Sequence, residues 1–241
     1  MKIMVPSKAQ RQWRDNNIPP LLRLGTEDLF YFEQIKALRA KLESKIETFH
    51  VKVLAVTSSI AGEGKTLSCA NLGANLASAG TKKVLLIDVD LRKSDLARGM
   101  DVKPLPGLSE YLAGTVESKD IVRESVTPGL WIIPAGTRSS DPTDLLAGDR
   151  FREFLRQARE KCDIVLLDTP PILPVSDTLI MKDQIDGFLF LFRAGFTPHQ
   201  MLGQALEDVG EQKVLGVVLN GVETKSQKYY RKYYGKYYNN P

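Results

Sequence analysis

The segment Ser59-Ile-Ala-Gly62-Glu-Gly64-Lys65-Thr66 lies between a short β-rich run, Val51 to Thr57, and a helical stretch from Thr66 to Ala79 that ends at Gly80. No other part of the chain constrains its fold so tightly. Gly62 and Gly64 let the backbone curl until its N–H groups face a polyphosphate. A helix that begins near Lys65 brings its positive dipole end to the same point. Lys65 supplies a full charge for β- and γ-phosphates, and the Thr66 hydroxyl a ligand for magnesium. The usual pattern opens on glycine, and Ser59 stands there instead. A loop of this kind needs a strand entering and a helix leaving, which is the context found here.

Further apolar runs recur at Lys83 to Asp88, Leu130 to Pro134, Asp163 to Asp168, Gly187 to Arg193 and Val214 to Asn220. Helical stretches separate most of them, notably Arg150 to Lys161, Ser176 to Asp183 and Pro198 to Glu211. Several runs are apolar at successive residues, as expected of strands covered on both faces. The predicted fold class is therefore α/β of the P-loop NTPase type, with a mostly parallel central sheet and helices on both faces. Residues 1–28 are polar, contain Pro19-Pro20 and read as an arm or linker. Thr26 looks like a cap for an amphipathic helix assigned to 29–48; a nucleotide-binding domain follows over 49–223 and a tail over 224–241.

Two more segments end apolar runs in acids. Leu85-Leu-Ile-Asp88-Val-Asp90-Leu-Arg92 closes one, and Asp163-Ile-Val-Leu-Leu-Asp168-Thr-Pro-Pro another. In an open parallel sheet, the residues just past the strand C-termini converge on the ligand-binding edge. Asp88, Asp90, Asp168 and Thr66 are thus expected around one magnesium ion, directly or through water.

Charge separates the tail from the rest. The formal net charge is +4. From Thr224 onward the chain carries Lys225, Lys228, Arg231, Lys232 and Lys236 and no acid, so the remainder sums to 4 − 5 = −1. A body so nearly neutral is a poor nucleic-acid-binding domain. Of eight tyrosines, six stand in this tail: Tyr229, Tyr230, Tyr233, Tyr234, Tyr237 and Tyr238. Taken alone, interleaved aromatic and basic residues suit a phosphorylation substrate, a single-stranded nucleic acid or an anionic membrane equally. No apolar run approaches the roughly 20 residues that span a bilayer, and the N-terminus lacks an apolar signal core, so a cytoplasmic location is expected. Cys69 and Cys162 are too few for a disulfide framework or zinc cluster and read as small buried hydrophobes.

Together Gly62-Glu-Gly-Lys-Thr, Asp88-x-Asp90-x-Arg92 and Asp168-Thr-Pro-Pro171 resemble the three nucleotide motifs of the bacterial tyrosine kinases of capsule and exopolysaccharide export, the BY-kinases. The resemblance runs from about Glu33 to the C-terminus and includes Gly107-Leu-Ser-Glu-Tyr-Leu-Ala-Gly114, Pro134-Ala-Gly, Asp141-Pro-Thr-Asp-Leu-Leu146 and the tyrosine cluster. It implies an ATP- and Mg2+-dependent autokinase with Lys65, Asp88 and Asp90 as catalytic residues. The nucleotide-binding set is Ala61, Gly62, Glu63, Gly64, Lys65, Thr66 and Leu67, with Arg193 and Asn220 near the base. Thr66, Asp90 and Asp168 are the implied metal-site residues, and Asp88 takes the proton of the attacking phenol. The six tail tyrosines become phosphoacceptors, entering a neighbouring subunit's site.

The same resemblance carries an oligomerisation motif onto Glu33, Lys36 and Arg39, which joins subunits into a ring. Lysine at 36 replaces an arginine and loses its planar fork. Implied partners are further copies of the chain, other protein substrates and a membrane adaptor of the export machinery that recruits the kinase to the inner face of the membrane; nucleic acid is not among them. Two rivals stand beside this reading. A MinD/ParA-type positioning ATPase shares all three motifs but carries an extra lysine where this chain has Ile60. A nucleotide-binding, non-catalytic adaptor needs none of the intact acids.

Overall fold

The structure, a computed structural model, describes residues 18–78 and 82–222. The chain runs α1 (Pro20–Glu27), α2 (Leu29–Thr48), β1 (Val53–Ser58), α3 (Lys65–Ser78), β2 (Val84–Asp88), α4 (Leu96–Gly99), α5 (Leu108–Leu112), α6 (Ser118–Ile121) and β3 (Arg123–Glu124). It continues with β4 (Leu130–Ile133), α7 (Pro142–Ala147), α8 (Asp149–Lys161), β5 (Ile164–Asp168), α9 (Asp177–Ile180), β6 (Gly187–Arg193), α10 (His199–Val209) and β7 (Val214–Asn220).

One seven-stranded sheet orders these strands β3-β4-β2-β5-β1-β6-β7. Every neighbouring pair is parallel except the two-residue edge β3 against β4. The expected doubly covered sheet follows from the side-chain alternation of a strand. Val53, Ala55, Leu85, Ile87, Val165, Leu167, Phe188 and Phe190 join one core with α5, α7, α8 and α10. Their neighbours Leu54, Val56, Val84, Leu86, Ile164, Leu166, Leu189 and Leu191 join the other with α1, α2 and α3. Consecutive apolar residues thus serve two cores, as the unbroken runs required. Cys69 and Cys162 are free and buried, as small apolar residues are.

Two expectations about the N-terminal part are corrected. The arm assigned to 1–28 contains α1, with Pro20 at its first position, where a fixed φ and a missing N–H cost nothing. Leu22 is buried, and Asn71 Nδ2 donates to the Leu21 carbonyl at 2.7 Å. Eight residues are too few to hold a helix by propensity, so this one exists through its packing. Thr26 is no cap; its hydroxyl donates back to Arg23 O in the last turn of α1. The cap of α2 is Asp28, whose Oδ1 accepts from the N–H groups of Phe30 at 2.9 Å and Tyr31 at 3.1 Å. The helix expected over Ser176 to Asp183 is shorter, ending at Ile180 before a 3₁₀ turn at Lys182–Gln184.

Candidate active site

β1 delivers the phosphate loop. It lies in the sheet between β5 and β6, so the loop after Ser58 sits above the strands that end in Asp168 and Arg193. Gly62 and Gly64 have φ of 85° and 92°, the left-handed region that favours glycine. A Cβ on Gly64 would also collide with Asn220 Nδ2. Ala61 and Gly62 are exposed, and Gly64, Thr66 and Leu67 half-exposed, so the outer face of the loop is accessible.

Lys65 opens α3 and is largely buried. Its Nζ donates to Ser58 Oγ at 3.0 Å, and that hydroxyl donates to Ile60 O at 2.6 Å. Burial pulls the ammonium below its ordinary pKa, while the charges of Asp168, Asp90 and Glu63 push it back up. Ser58 went unnoticed in the sequence because its role is visible only once the strand and the helix start face each other.

Asp88 and Asp168 end β2 and β5 as direct cross-strand partners, and both are buried. Two carboxyls so placed resist ionising together. Burial, then the neighbouring Asp168, raises Asp88 well above the usual carboxylate range. Burial likewise pushes Asp168 up to about 7, against the opposing pull of a Thr66 hydrogen bond and the Lys65 charge. Asp88 Oδ1 accepts from Asp90 N at 3.1 Å and its Oδ2 from the exposed Ser94 hydroxyl at 2.5 Å. Asp90 Oδ1 accepts from the N–H groups of Arg92 at 3.3 Å and Lys93 at 2.9 Å, which leaves Oδ2.

The four residues expected around one magnesium ion do not form a ready cage. Among the described residues no group of three carboxylate, imidazole or thiol side chains is placed to hold a metal by itself. Asp88 spends both oxygens inside the protein. A magnesium ion in a nucleotide site takes one or two carboxylates, waters and phosphate oxygens, which is a smaller demand. The remaining set fits that demand: Asp168 Oδ1 is buried with no hydrogen-bond partner, and so is Ser59 Oγ in the phosphate loop. Thr66 and Asp168 already touch.

Glu63 was assigned to nucleotide binding, but its side chain turns into the protein. It is buried, and its Oε1 accepts from Thr197 Oγ1 at 2.6 Å and Arg193 N at 3.2 Å, its Oε2 from Ile60 N at 2.9 Å. Arg193 and Asn220, expected near the base, both contact the backbone of the phosphate loop. Arg193 Nη1 donates to Gly62 O at 3.1 Å and Asn220 Nδ2 to Glu63 O at 2.9 Å. Phe196 is exposed, with the Arg193 guanidinium 5.0 Å from its ring centre.

On α2, Lys36 pairs with Glu33 at 2.9 Å, whereas Arg39 turns toward its own chain. Arg39 Nη1 donates to Asn75 O of α3 at 3.2 Å, and Nε lies 3.6 Å from Glu43. A cavity of about 410 Å³ opens beside them, away from the phosphate loop, lined by Leu22, Phe32, Ile35, Lys36, Arg39 and Asn75. The tail tyrosines Tyr229, Tyr230, Tyr233, Tyr234, Tyr237 and Tyr238 lie outside the described residues. No described helix is long and apolar enough to cross a membrane.

Comparison with known proteins places this geometry. Residues 51–185 match the AAA domain family. Tyrosine-protein kinase ptk of Acinetobacter johnsonii is 30% identical over 213 residues, 87% of this chain but 29% of that protein. Tyrosine-protein kinase CpsD of Streptococcus agalactiae serotype III (strain NEM316) is 35% identical over 181 residues, 74% of this chain and 78% of the relative. The kinase domain of Escherichia coli tyrosine kinase ETK superposes with a TM-score of 0.81 at 31% identity, covering 89% of this chain and 84% of that one.

Proposed function

The chain belongs to the bacterial tyrosine-protein kinases and, over residues 51–185, to the AAA domain family; on that premise we propose that it is an Mg-ATP-dependent autokinase that phosphorylates its own C-terminal tyrosines. The observation that carries this reading is Lys65 at a strand–loop–helix junction beside the buried Asp168, which has an orphaned oxygen and faces a second buried carboxyl, Asp88, across the strands. In this reading the outward N–H groups of the loop and the start of α3 receive the β- and γ-phosphates. Lys65 leaves Ser58 to neutralise charge that accumulates on the transferring group. Thr66, Asp90 and Asp168 would hold magnesium, which would supply positive charge to offset that of the phosphates.

The tyrosine oxygen attacks the γ-phosphorus as the bond to the bridging oxygen of ADP breaks, and the phenolic proton passes to Asp88. An ordinary carboxylate is a weak acceptor for a phenol of pKa near 10. Burial and Asp168 raise Asp88, which makes its ionised form a stronger acceptor. Most of the rate enhancement still comes from positioning and charge neutralisation.

Transfer proceeds in trans, in a ring-like oligomer joined through the face that carries Glu33, Lys36 and Arg39. A membrane adaptor of polysaccharide export recruits the kinase to the inner face of the membrane, other proteins serve as further substrates, and nucleic acid plays no part. Each phosphate adds about −1.5 to −2 charge, so phosphorylation of the +5 tail reverses its sign and loosens the assembly. Ile60 removes the lysine on which the positioning-ATPase reading depends, and the intact Lys65 and acids weigh against a non-catalytic adaptor.

Incubating the purified chain with Mg-ATP and probing for phosphotyrosine tests the reading. Signal is expected from the parent, and none from Lys65→Met or from a variant with the six tail tyrosines replaced by phenylalanine. A parent that hydrolyses ATP without forming phosphotyrosine, with or without an adaptor, would overturn it.

A further inference from the structure

Asp177 is a fully buried carboxylate about which the reaction, as described, says nothing. A charge so placed persists only when paired, and Arg92 supplies the pair from 85 residues away in sequence. The contact is two-pronged: Nε donates to Oδ2 at 2.7 Å and Nη2 to Oδ1 at 2.9 Å. Thr143, in the first turn of α7, donates its hydroxyl to the same Oδ1 at 2.7 Å. Although burial raises the Asp177 carboxyl, Arg92 and Thr143 hold it below its usual range. The segment Asp141-Pro-Thr-Asp and the half-exposed arginine of Asp88-x-Asp90-x-Arg92 therefore meet at the buried Asp177.

That point lies one turn from the metal-site carboxylate. The backbone N–H groups of Arg92 and Lys93 are the donors that fix Asp90 Oδ1, so the place of Arg92 decides where Oδ2 aims. Asp88 holds the two ends of this stretch, its Oδ1 accepting from Asp90 N and its Oδ2 from the Ser94 hydroxyl, and the Arg92 side chain is tied between them. Residues 91–93 form a bend, and Lys93, Ser94 and Asp95 are exposed. Leu91 is buried and its carbonyl accepts from Ser139 N at 3.1 Å, which keeps the turn in place without orienting it.

We propose that Asp177, assisted by Thr143, is a positioning residue that acts through Arg92 to aim Asp90, and so sets how strongly a divalent cation strengthens nucleotide binding. The inference rests on the reading of Asp90 as a metal-site residue given above. A bidentate clamp resists rotation about the arginine side chain, which a single contact does not. Loss of the clamp loosens residues 91–93 between the two contacts that Asp88 makes with Asp90 and Ser94, while the phosphate loop and α3 stay in place.

The test measures the affinity of the full chain for a fluorescent ATP analogue in EDTA and again in saturating Mg2+, with the ratio of the two as readout. Asp177→Asn and Arg92→Lys are each expected to leave the EDTA affinity within twofold of the parent and to lower the Mg2+-dependent gain five- to tenfold. The double variant is expected to be no worse than the worse single one, because both break one unit. Equal losses in EDTA and in Mg2+, an unchanged ratio, or additive losses would each overturn the inference. Should Asp177→Asn fail to fold, Thr143→Val removes the hydrogen bond donated to Asp177 and the one accepted from Arg92 Nη2 at 3.3 Å and leaves the ion pair; it is expected to lower the ratio about twofold, and an unchanged ratio again counts against the proposal. If the parent forms no phosphotyrosine, the autokinase reading falls, whereas the Mg2+ ratio still decides this point.

Discussion

The two edges of the sheet treat their acids in opposite ways. At the C-terminal edge, Asp88 and Asp168 face each other in the interior, both raised above the usual carboxylate range, and Asp168 keeps an oxygen without a partner. At the N-terminal edge, Asp186 Oδ2 accepts from Val53 N at 2.7 Å, Lys52 N at 2.8 Å and Arg159 Nη1 at 2.6 Å. Asp163 likewise accepts from Lys83 N at 2.6 Å. One edge satisfies its carboxylates and closes the fold. The other leaves them uncomfortable until something positive arrives, which is the mark of a site rather than of a brace.

The contrast can be broken or sharpened by substitution, and the largest effect is expected at the phosphate loop. Lys65→Met should lower phosphotyrosine formation on the order of a thousandfold, with a normal unfolding transition. Next comes Asp168→Asn, for which activity and stability should move in opposite directions. Phosphotyrosine falls about a hundredfold. In EDTA at pH 8 the variant should nevertheless melt several degrees above the parent, because a raised pKa means that the folded protein binds the proton more readily than the unfolded one. That contribution is fully present below the unfolded value of about 4 and is lost as pH rises through about 7, so the advantage should shrink as pH falls and vanish only below about pH 4. A variant that melts lower at pH 8 would erase the distinction between the edges.

Asp186→Asn is expected to do the reverse, leaving phosphotyrosine formation per folded molecule unchanged and costing about 2 kcal/mol of stability at pH 7. Although burial raises the Asp186 carboxyl, Arg159 and the two backbone N–H groups hold it below its ordinary value. A depressed pKa stabilises above the unfolded value and is lost as pH falls, so the deficit should narrow toward pH 3 in urea titrations. The smallest effect is expected on α8. Glu153 and Arg156 are solvent-exposed partners at 2.7 Å, and replacing either with alanine should shift neither melting nor activity measurably.

What was legible in the sequence was local. The glycines, Lys65 and Thr66 announced the loop because conformation and chemistry are carried by adjacent residues. Asp88 and Asp168 were legible as strand ends, since each closes an apolar run. The direction of the Glu63 side chain was not, because a motif fixes the course of a backbone and not which way a carboxylate turns. Helix α1 escaped because its stability comes from Asn71 and the surface beneath it. Asp177 and Thr143 escaped for the same reason at longer range: nothing in residues 143 or 177 alone points to Arg92.

The inward turn of Glu63 has a consequence in time rather than in structure. Five hydrogen bonds, from Ile60, Arg193 twice, Thr197 and Asn220, all made within the chain itself, fix residues 60–63. The entropy of ordering that loop is therefore spent while the chain folds, not at each encounter. Whatever binds against residues 60–63 need not supply the free energy to order them.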